Sequence, residues 1–105
     1  ALPILKQDSP YMLLATTVKE KYRKLLPSIT HVDHTARVQS VSSQQEPFLH
    51  AMLLQLEKLI GVPVVLNTSF NVACQPIVET PNDAIQTFLQ TEIDVLVIGN
   101  YIVTK

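Results

Sequence analysis

The chain has 105 residues, of which 47% are hydrophobic and 16% are charged, and its formal net charge is −1. This composition excludes an intrinsically disordered chain, and the length predicts one domain over residues 1–105. The balanced charge argues against a nucleic-acid partner or a membrane-surface partner, because general binding to either needs a basic excess.

The cysteine content and the apolar runs indicate the cellular compartment. Cys74 is the single cysteine, so no internal disulfide can form and the cytoplasm is the simpler interpretation. A catalytic thiol would need a nearby base, so we expect Cys74 to be a small, half-buried side chain. No apolar run approaches the roughly 20 residues that cross a membrane. The abrupt start at Ala1 is typical of a piece of a longer protein.

The first part of the chain predicts short strands joined by polar turns. Residues 11–18 have the aromatic and β-branched content of a strand. The charged run 19–24 predicts a turn or a short helix that ends before Pro27. Residues 29–33 and 35–41 predict two further strands, the second from its alternating pattern.

Two helices are predicted from their start and stop signals. Pro47 has the position that a helix favours for its first residue, apolar side chains follow at helical spacing, and Gly61 is the expected stop. We expect the apolar stripe of this helix to be buried. A second helix is predicted after a cap at Thr80, with Asp83 as the acidic residue of a capping box.

The remaining apolar stretches predict strands. Residues 62–66 are apolar on both faces, as a central buried strand would be, with Pro63 at its start. Residues 94–98 and 101–105 predict a β-hairpin that turns at Gly99. We therefore predict an α/β fold, with a mixed, twisted sheet and helices packed against it.

The segment Asn67-Thr68-Ser69-Phe70-Asn71 is the strongest candidate for a functional site. It directly follows the predicted central strand, and open α/β folds bind ligands at the carboxyl ends of their strands. Its hydroxyl and amide groups can bind phosphate, ribose or a carbonyl substrate. The alternative is that these side chains only fold a turn, through hydrogen bonds to the local backbone.

A second polar cluster contains His31, Asp33, His34 and Arg37. The spacing of the first three does not place three ligands on one face of a regular element, so we predict no metal site. Arg37 could direct its guanidinium into a cleft and bind phosphate. The alternative is an arginine on an edge strand that lies in water.

Four motifs occur in one order along the chain: HVD at residues 31–33, TARVQ at 35–39, PVVLNTSFN at 63–71, and PIV at 76–78 with TP at 80–81 and DA at 83–84. From about residue 9 to residue 105, this pattern resembles the C-terminal domain of the ATP-dependent O-carbamoyltransferases of antibiotic and nodulation-factor biosynthesis. That family has glycine at the position of His34, and glycine followed by glutamate at the positions of Cys74 and Gln75.

The resemblance implies a YrdC-like α/β fold, here partial or truncated, that forms a carbamoyl adenylate from carbamoyl phosphate and ATP with Mg²⁺. It also implies a partner, an N-terminal transferase domain that would hold any transition metal and transfers the carbamoyl group to a hydroxyl. Residue by residue, it implies that Ser69 and Asn71 contact the phosphate and carbamoyl groups. By the same transfer, Arg37 binds the phosphates, and His31 and Asn67 line the same cleft.

Two other functions stay open at this point. The chain could be a non-catalytic, stand-alone remnant that serves as an interaction or oligomerisation module, because the basic segment that the family carries upstream is not in these 105 residues. It could also be a generic nucleotide binder that is indifferent to carbamoyl phosphate. In each case we expect these 105 residues alone to be inactive as an enzyme.

Overall fold

The computed structural model describes residues 8–105, which divide between Leu66 and Asn67 into two units. Helices and strands occur in both units, which confirms the α/β class. The described strands form two separate two-stranded antiparallel sheets instead of one mixed sheet. The single domain over residues 1–105 stays a prediction.

An antiparallel pair of strands organises the first unit. β1 spans Leu14–Thr17 and β2 spans Thr35–Val38, and their register runs from Leu14 opposite Val38 to Thr17 opposite Thr35. The inward face of this pair buries Ala36, and Val18 packs beside it at the end of β1. The predicted strands at 11–18 and 35–41 are thus confirmed in shorter form.

The connection between these strands is helical and contains no strand. α1 spans Glu20–Arg23, in agreement with the short helix predicted there, and a 3₁₀ turn spans Pro27–Ile29. The strand predicted over residues 29–33 is wrong. Proline starts the 3₁₀ turn, and the hydroxyl of Thr30 donates to the carbonyl oxygen of Leu26 over 2.7 Å, so local hydrogen bonds compete successfully with strand pairing.

Helix α2 spans Pro47–Ile60, with both ends where the sequence predicts them. Gly61 ends it in the left-handed conformation, with φ of 82°, and its N–H donates to the carbonyl oxygen of Glu57 over 2.8 Å. The expected burial of the apolar stripe is wrong for the described residues, since none in this helix is buried. Within residues 8–105, no helix is both long enough and apolar enough to span a membrane.

The central strand predicted over residues 62–66 is wrong. This stretch has no regular structure, and only Val62 is buried. A strand needs a hydrogen-bonded neighbour, and none of the described strands pairs with it. Pro63 also removes one backbone donor that a central strand would use.

The second unit packs one helix against a hairpin. α3 spans Pro81–Gln90, β3 spans Val95–Ile98 and β4 spans Tyr101–Thr104. The strands pair antiparallel around Gly99, as predicted. The core of this unit consists of Ala84, Phe88 and Leu96.

Candidate functional site

The predicted site residues divide between the two units. His31 and Arg37 belong to the first unit, whereas Asn67, Ser69 and Asn71 belong to the second. All are exposed except Asn71, which is half-buried.

His31 opens a tight loop that leads into β2. Its N–H donates to the carbonyl oxygen of Thr35 over 2.8 Å. The carboxylate of Asp33 accepts hydrogen bonds from the hydroxyl of Thr35 at 2.7 Å and from its N–H at 3.0 Å. The imidazole of His31 stays at the surface, so the HVD motif forms an ordered loop that presents an exposed histidine.

The charge of Asp33 is favoured by this loop. Hydrogen bonding from the Thr35 hydroxyl, and then from the Thr35 N–H, holds the pKa of Asp33 below the ordinary value for aspartate, and His31 adds a smaller attraction. The Asp-x-Thr spacing is the sequence signal for this interaction, which the motif analysis missed. Asp33 is thus an ionised loop residue.

Arg37 lies on the exposed face of the β1–β2 pair, opposite Ala15. Its Nε donates to the carbonyl oxygen of Met12 over 2.9 Å. Neither terminal amino group of Arg37 has a hydrogen-bond partner among residues 8–105. The guanidinium is therefore tied at one nitrogen, while the two that bind oxyanions in a fork are open to a ligand.

The polar segment at residues 67–71 is fixed by its one aromatic residue. Phe70 packs against the core of the second unit, and its carbonyl oxygen accepts from the N–H of Val78 over 3.0 Å. On the other side of this anchor, Asn67, Thr68 and Ser69 are exposed. Their side chains form no hydrogen bond with any described residue, so they are open to a ligand.

Asn71 is the member of the segment that folds a turn. Its Nδ2 donates to the carbonyl oxygens of Gln75 at 3.0 Å and of Val72 at 3.3 Å. The N–H of Gln75 also donates to the carbonyl oxygen of Val72 over 3.0 Å. The alternative that these polar side chains only fold a turn therefore holds for the amide nitrogen of Asn71. Its Oδ1 remains available to a ligand.

Cys74 lies within this turn. The expectation of a half-buried thiol is wrong, since Cys74 is exposed and free. Its φ of 66° is in the left-handed region, which is uncommon for a residue other than glycine. A base that activates a thiol has to form a hydrogen bond with it. The Cys74 thiol has no hydrogen bond to any described residue.

Metal ligands do not converge in the part of the chain that the structure describes. Over residues 8–105 no group of three or more His, Cys, Asp or Glu side chains could hold a metal ion. His31, Asp33 and His34 are neighbours in sequence and still do not form such a group.

The chain matches a known protein family along nearly its whole length. Residues 3–105 match a family described as the carbamoyltransferase C-terminus. The chain belongs to that family. The match covers nearly the whole chain and confirms the resemblance to a carbamoyltransferase C-terminal domain.

The chain is also similar to parts of longer proteins from bacteria and archaea. The chain is 43% identical over 104 residues to nodulation protein NolNO of Sinorhizobium fredii, covering 99% of the chain and 15% of that protein. It is 41% identical to nodulation protein NolO of Bradyrhizobium diazoefficiens, covering 99% of the chain and 19% of that protein. An uncharacterized protein of Methanocaldococcus jannaschii is 39% identical over 92% of the chain and 19% of its own length. The chain thus spans no more than about a fifth of these relatives.

Proposed function

We propose that this domain helps to form a carbamoyl adenylate from carbamoyl phosphate and ATP, as the C-terminal portion of an O-carbamoyltransferase. An N-terminal transferase domain would then transfer the carbamoyl group to a hydroxyl group of an acceptor substrate. Membership of the carbamoyltransferase C-terminus family supports this proposal. The observation that carries it is Arg37, whose two terminal amino groups have no partner among residues 8–105.

Arg37 fits the charge of both substrates. In adenylate formation, water first releases inorganic phosphate from carbamoyl phosphate and leaves carbamate. An oxygen of the carbamate then bonds to the α-phosphorus of ATP as the bond from that phosphorus to pyrophosphate breaks, and pyrophosphate leaves with added negative charge. A guanidinium binds phosphate oxygens in a bidentate manner and keeps its charge at any physiological pH. Donors of this kind that are already in position contribute a few kcal/mol each, about 3 per donor, to stabilising such a transition state. Arg37 would supply that stabilisation.

Ser69 and Asn71 would bind the carbamoyl group through different atoms. Ser69 is exposed without a described partner, so its hydroxyl is open to donate to a carbamoyl oxygen. The Nδ2 of Asn71 is already used by two backbone carbonyls, which leaves Oδ1 to accept from the carbamoyl amino group. An acceptor at this point would favour a carbamoyl group over a simple carboxylate. His31, an exposed residue of the first unit, and Asn67, an exposed residue of the second, are the other candidate residues for substrate binding.

Mg²⁺ would enter with ATP. This ion is usually bound by substrate phosphates, waters and one or two carboxylates, and not by a complete cage of protein ligands. The absence of a group of three ligands among residues 8–105 agrees with that mode, so the phosphates would hold the ion. The cytoplasmic location, where ATP is plentiful, stays a prediction.

The test is the Arg37→Ala variant in the protein that carries this domain. We expect its use of ATP or carbamoyl phosphate to fall at least tenfold, measured as pyrophosphate released. Arg37→Lys keeps the charge but loses the fork, and we expect an intermediate rate. Lys24→Ala, a change of the same charge at an exposed position of the same unit, is the control. An unchanged rate in Arg37→Ala removes this role.

A non-catalytic interaction module is the second candidate. His34 and Cys74 place side chains where the family pattern has glycine, and both have φ of 66°. Side chains at those two positions could obstruct the approach of phosphates to the backbone. Calorimetry separates the candidates, because a well-folded chain that binds no ATP favours the module and ATP binding in the micromolar range favours the enzyme.

A further inference from the structure

Residues 9–13, called here the leading segment, are attached to the end of β2 by a pair of serines. The N–H of Ser9 donates to Oγ of Ser40 over 2.8 Å, and the N–H of Ser40 donates to the carbonyl oxygen of Ser9 over 2.8 Å. Ser9 is 4% exposed and Ser40 is half-buried, so this pair is largely shielded from water. The start of the leading segment is therefore held by the backbone of Ser9 and the side chain of Ser40.

The other end of the leading segment is held by Arg37. Met12 has φ of 53°, a left-handed conformation that is uncommon for a residue other than glycine. Its carbonyl oxygen accepts from Nε of Arg37 over 2.9 Å. Such a conformation persists where surrounding contacts determine it.

Two side chains of the leading segment, those of Tyr11 and Leu13, contribute little to its attachment. Tyr11 is 72% exposed and Leu13 is 80% exposed, so neither side chain attaches it to a core. The leading segment is therefore held by the buried Ser9 with its bonds to Ser40, by the bond from Arg37 to Met12, and by its direct continuation into β1. Because one of those bonds ends on Arg37, the position of the segment and the orientation of the guanidinium depend on each other.

We propose that the carbonyl group of Met12 is a positioning group for Arg37, and that Ser40 acts on substrate binding through it. Fixing one N–H of a planar guanidinium fixes the plane in which the remaining N–H groups point. Ala15, which lies opposite Arg37 in the strand pair, contributes only a methyl group. This inference rests on the proposed function of Arg37 as the ligand of the substrate phosphates.

Ser40→Ala tests the proposal in the full chain. It removes the acceptor for Ser9 without touching Arg37, and we expect ATP to bind about 3- to 10-fold more weakly. In an Arg37→Ala background, we expect Ser40→Ala to cause no further loss, whereas a merely structural role would weaken binding equally in both backgrounds. Ser40→Thr keeps the hydroxyl and should restore the affinity.

The matched control is Ser9→Ala. The Ser9 hydroxyl is buried without a partner among the described residues, and both of its backbone groups remain in the variant. We expect ATP affinity to be unchanged. A loss in Ser9→Ala as large as that in Ser40→Ala would overturn the proposal, because it would show that the serine pair acts through general packing.

A second readout is the Nε–H of Arg37 in NMR spectra without ligand. We expect its exchange with water to be slowed in the natural chain and in Ser40→Thr, and to be fast in Ser40→Ala. Fast exchange in the natural chain would overturn the proposal, whatever the variants do. If Arg37→Ala weakens ATP binding and Ser40→Ala does not, the positioning role fails and the proposed function stands. If neither Arg37→Ala nor Ser40→Ala weakens ATP binding, the proposed function of Arg37 fails. Slow exchange of its Nε–H would then show only that Met12 orients the guanidinium.

Discussion

The backbone N–H of His34 donates to the carbonyl oxygen of His31 over 2.8 Å, and His34 itself has φ of 66°. Together with the bond from His31 to Thr35, this contact closes a three-residue hairpin loop whose last residue is left-handed. Such loops favour glycine at that position, because glycine has no Cβ to strain. The backbone at position 34 thus favours glycine over the histidine that this chain has there.

Replacing His34 by glycine should stabilise the first unit. A left-handed residue other than glycine costs about 1–2 kcal/mol, and the greater freedom of unfolded glycine offsets part of the gain. We expect the free energy of unfolding of His34→Gly, measured with urea, to rise by about 0.5–1 kcal/mol. His34→Ala keeps the Cβ and should not gain, so equal gains in both variants would contradict the backbone explanation.

Thr35 should control the titration of Asp33. The hydroxyl of Thr35 is the largest cause that lowers the pKa of Asp33, and the N–H of the same residue is the next. A carboxylate with a lowered pKa in the folded state stabilises the fold at neutral pH. That contribution declines as pH falls below the unfolded value and through the lowered folded pKa.

The Thr35→Val variant measures this effect. It keeps the N–H and removes the hydroxyl donor, so we expect the pKa of Asp33 to rise toward the ordinary value, as followed by carboxyl carbon NMR. The free energy of unfolding should then fall less steeply as the pH is lowered into the acid range. An Asp33 that titrates identically in both proteins would show that the hydroxyl is not its main partner.

Asn71→Asp should loosen the turn of residues 72–75. The change removes both donors and places a carboxylate beside the carbonyl oxygens of Val72 and Gln75. We expect a loss of about 1 kcal/mol in the free energy of unfolding. The N–H of Gln75 should also exchange faster with water. Asn67→Asp is the same change at an exposed residue without a described partner, and its stability should match that of the natural chain.

Thr80 should be the residue that starts α3. Its hydroxyl accepts from the N–H of Asp83 at 3.2 Å, and the side chain of Asp83 accepts from the N–H of Thr80 at 3.1 Å. We expect Thr80→Ala to lower the free energy of unfolding by about 1 kcal/mol, the usual effect of losing an N-cap. Thr80→Ser keeps the capping oxygen and should retain most of the stability, as thermal unfolding followed by circular dichroism would show.

Phe88 should hold the second unit together. It is 1% exposed and belongs to a core whose other buried members are Ala84 and Leu96. We expect Phe88→Ala to lower the free energy of unfolding by about 3–5 kcal/mol. Leu89, its neighbour on α3, is 62% exposed, and Leu89→Ala should change stability by less than about 0.5 kcal/mol. Similar losses in both variants would mean that Leu89 is covered in solution.

The features that the sequence predicted correctly depend on neighbours along the chain. Pro47 and Gly61 set the ends of α2, and the Thr80–Asp83 capping box starts α3, because each signal acts within one helical turn. The turn at Gly99 is likewise set by residues that are close together in the sequence. The prediction at residues 62–66 failed because apolar content alone cannot supply the hydrogen-bonded partner that a strand needs.

The candidate site shows the same division. The order of the motifs identified the family and pointed to Arg37, Ser69 and Asn71. It could not show that Asn71 uses its amide nitrogen to close a turn. Nor could it show the left-handed backbone at Met12, since a methionine carries no signal for that conformation.

The sequence by itself therefore determined the family, the helix ends, the hairpin and the polar residues of the candidate site. Only the tertiary structure decided which atoms of those residues are already used. The bond between Arg37 and the carbonyl oxygen of Met12 joins residues 25 positions apart. It forms because pairing of β1 with β2 brings those two points of the chain together, and a backbone carbonyl is present at every position and so leaves no mark in the sequence.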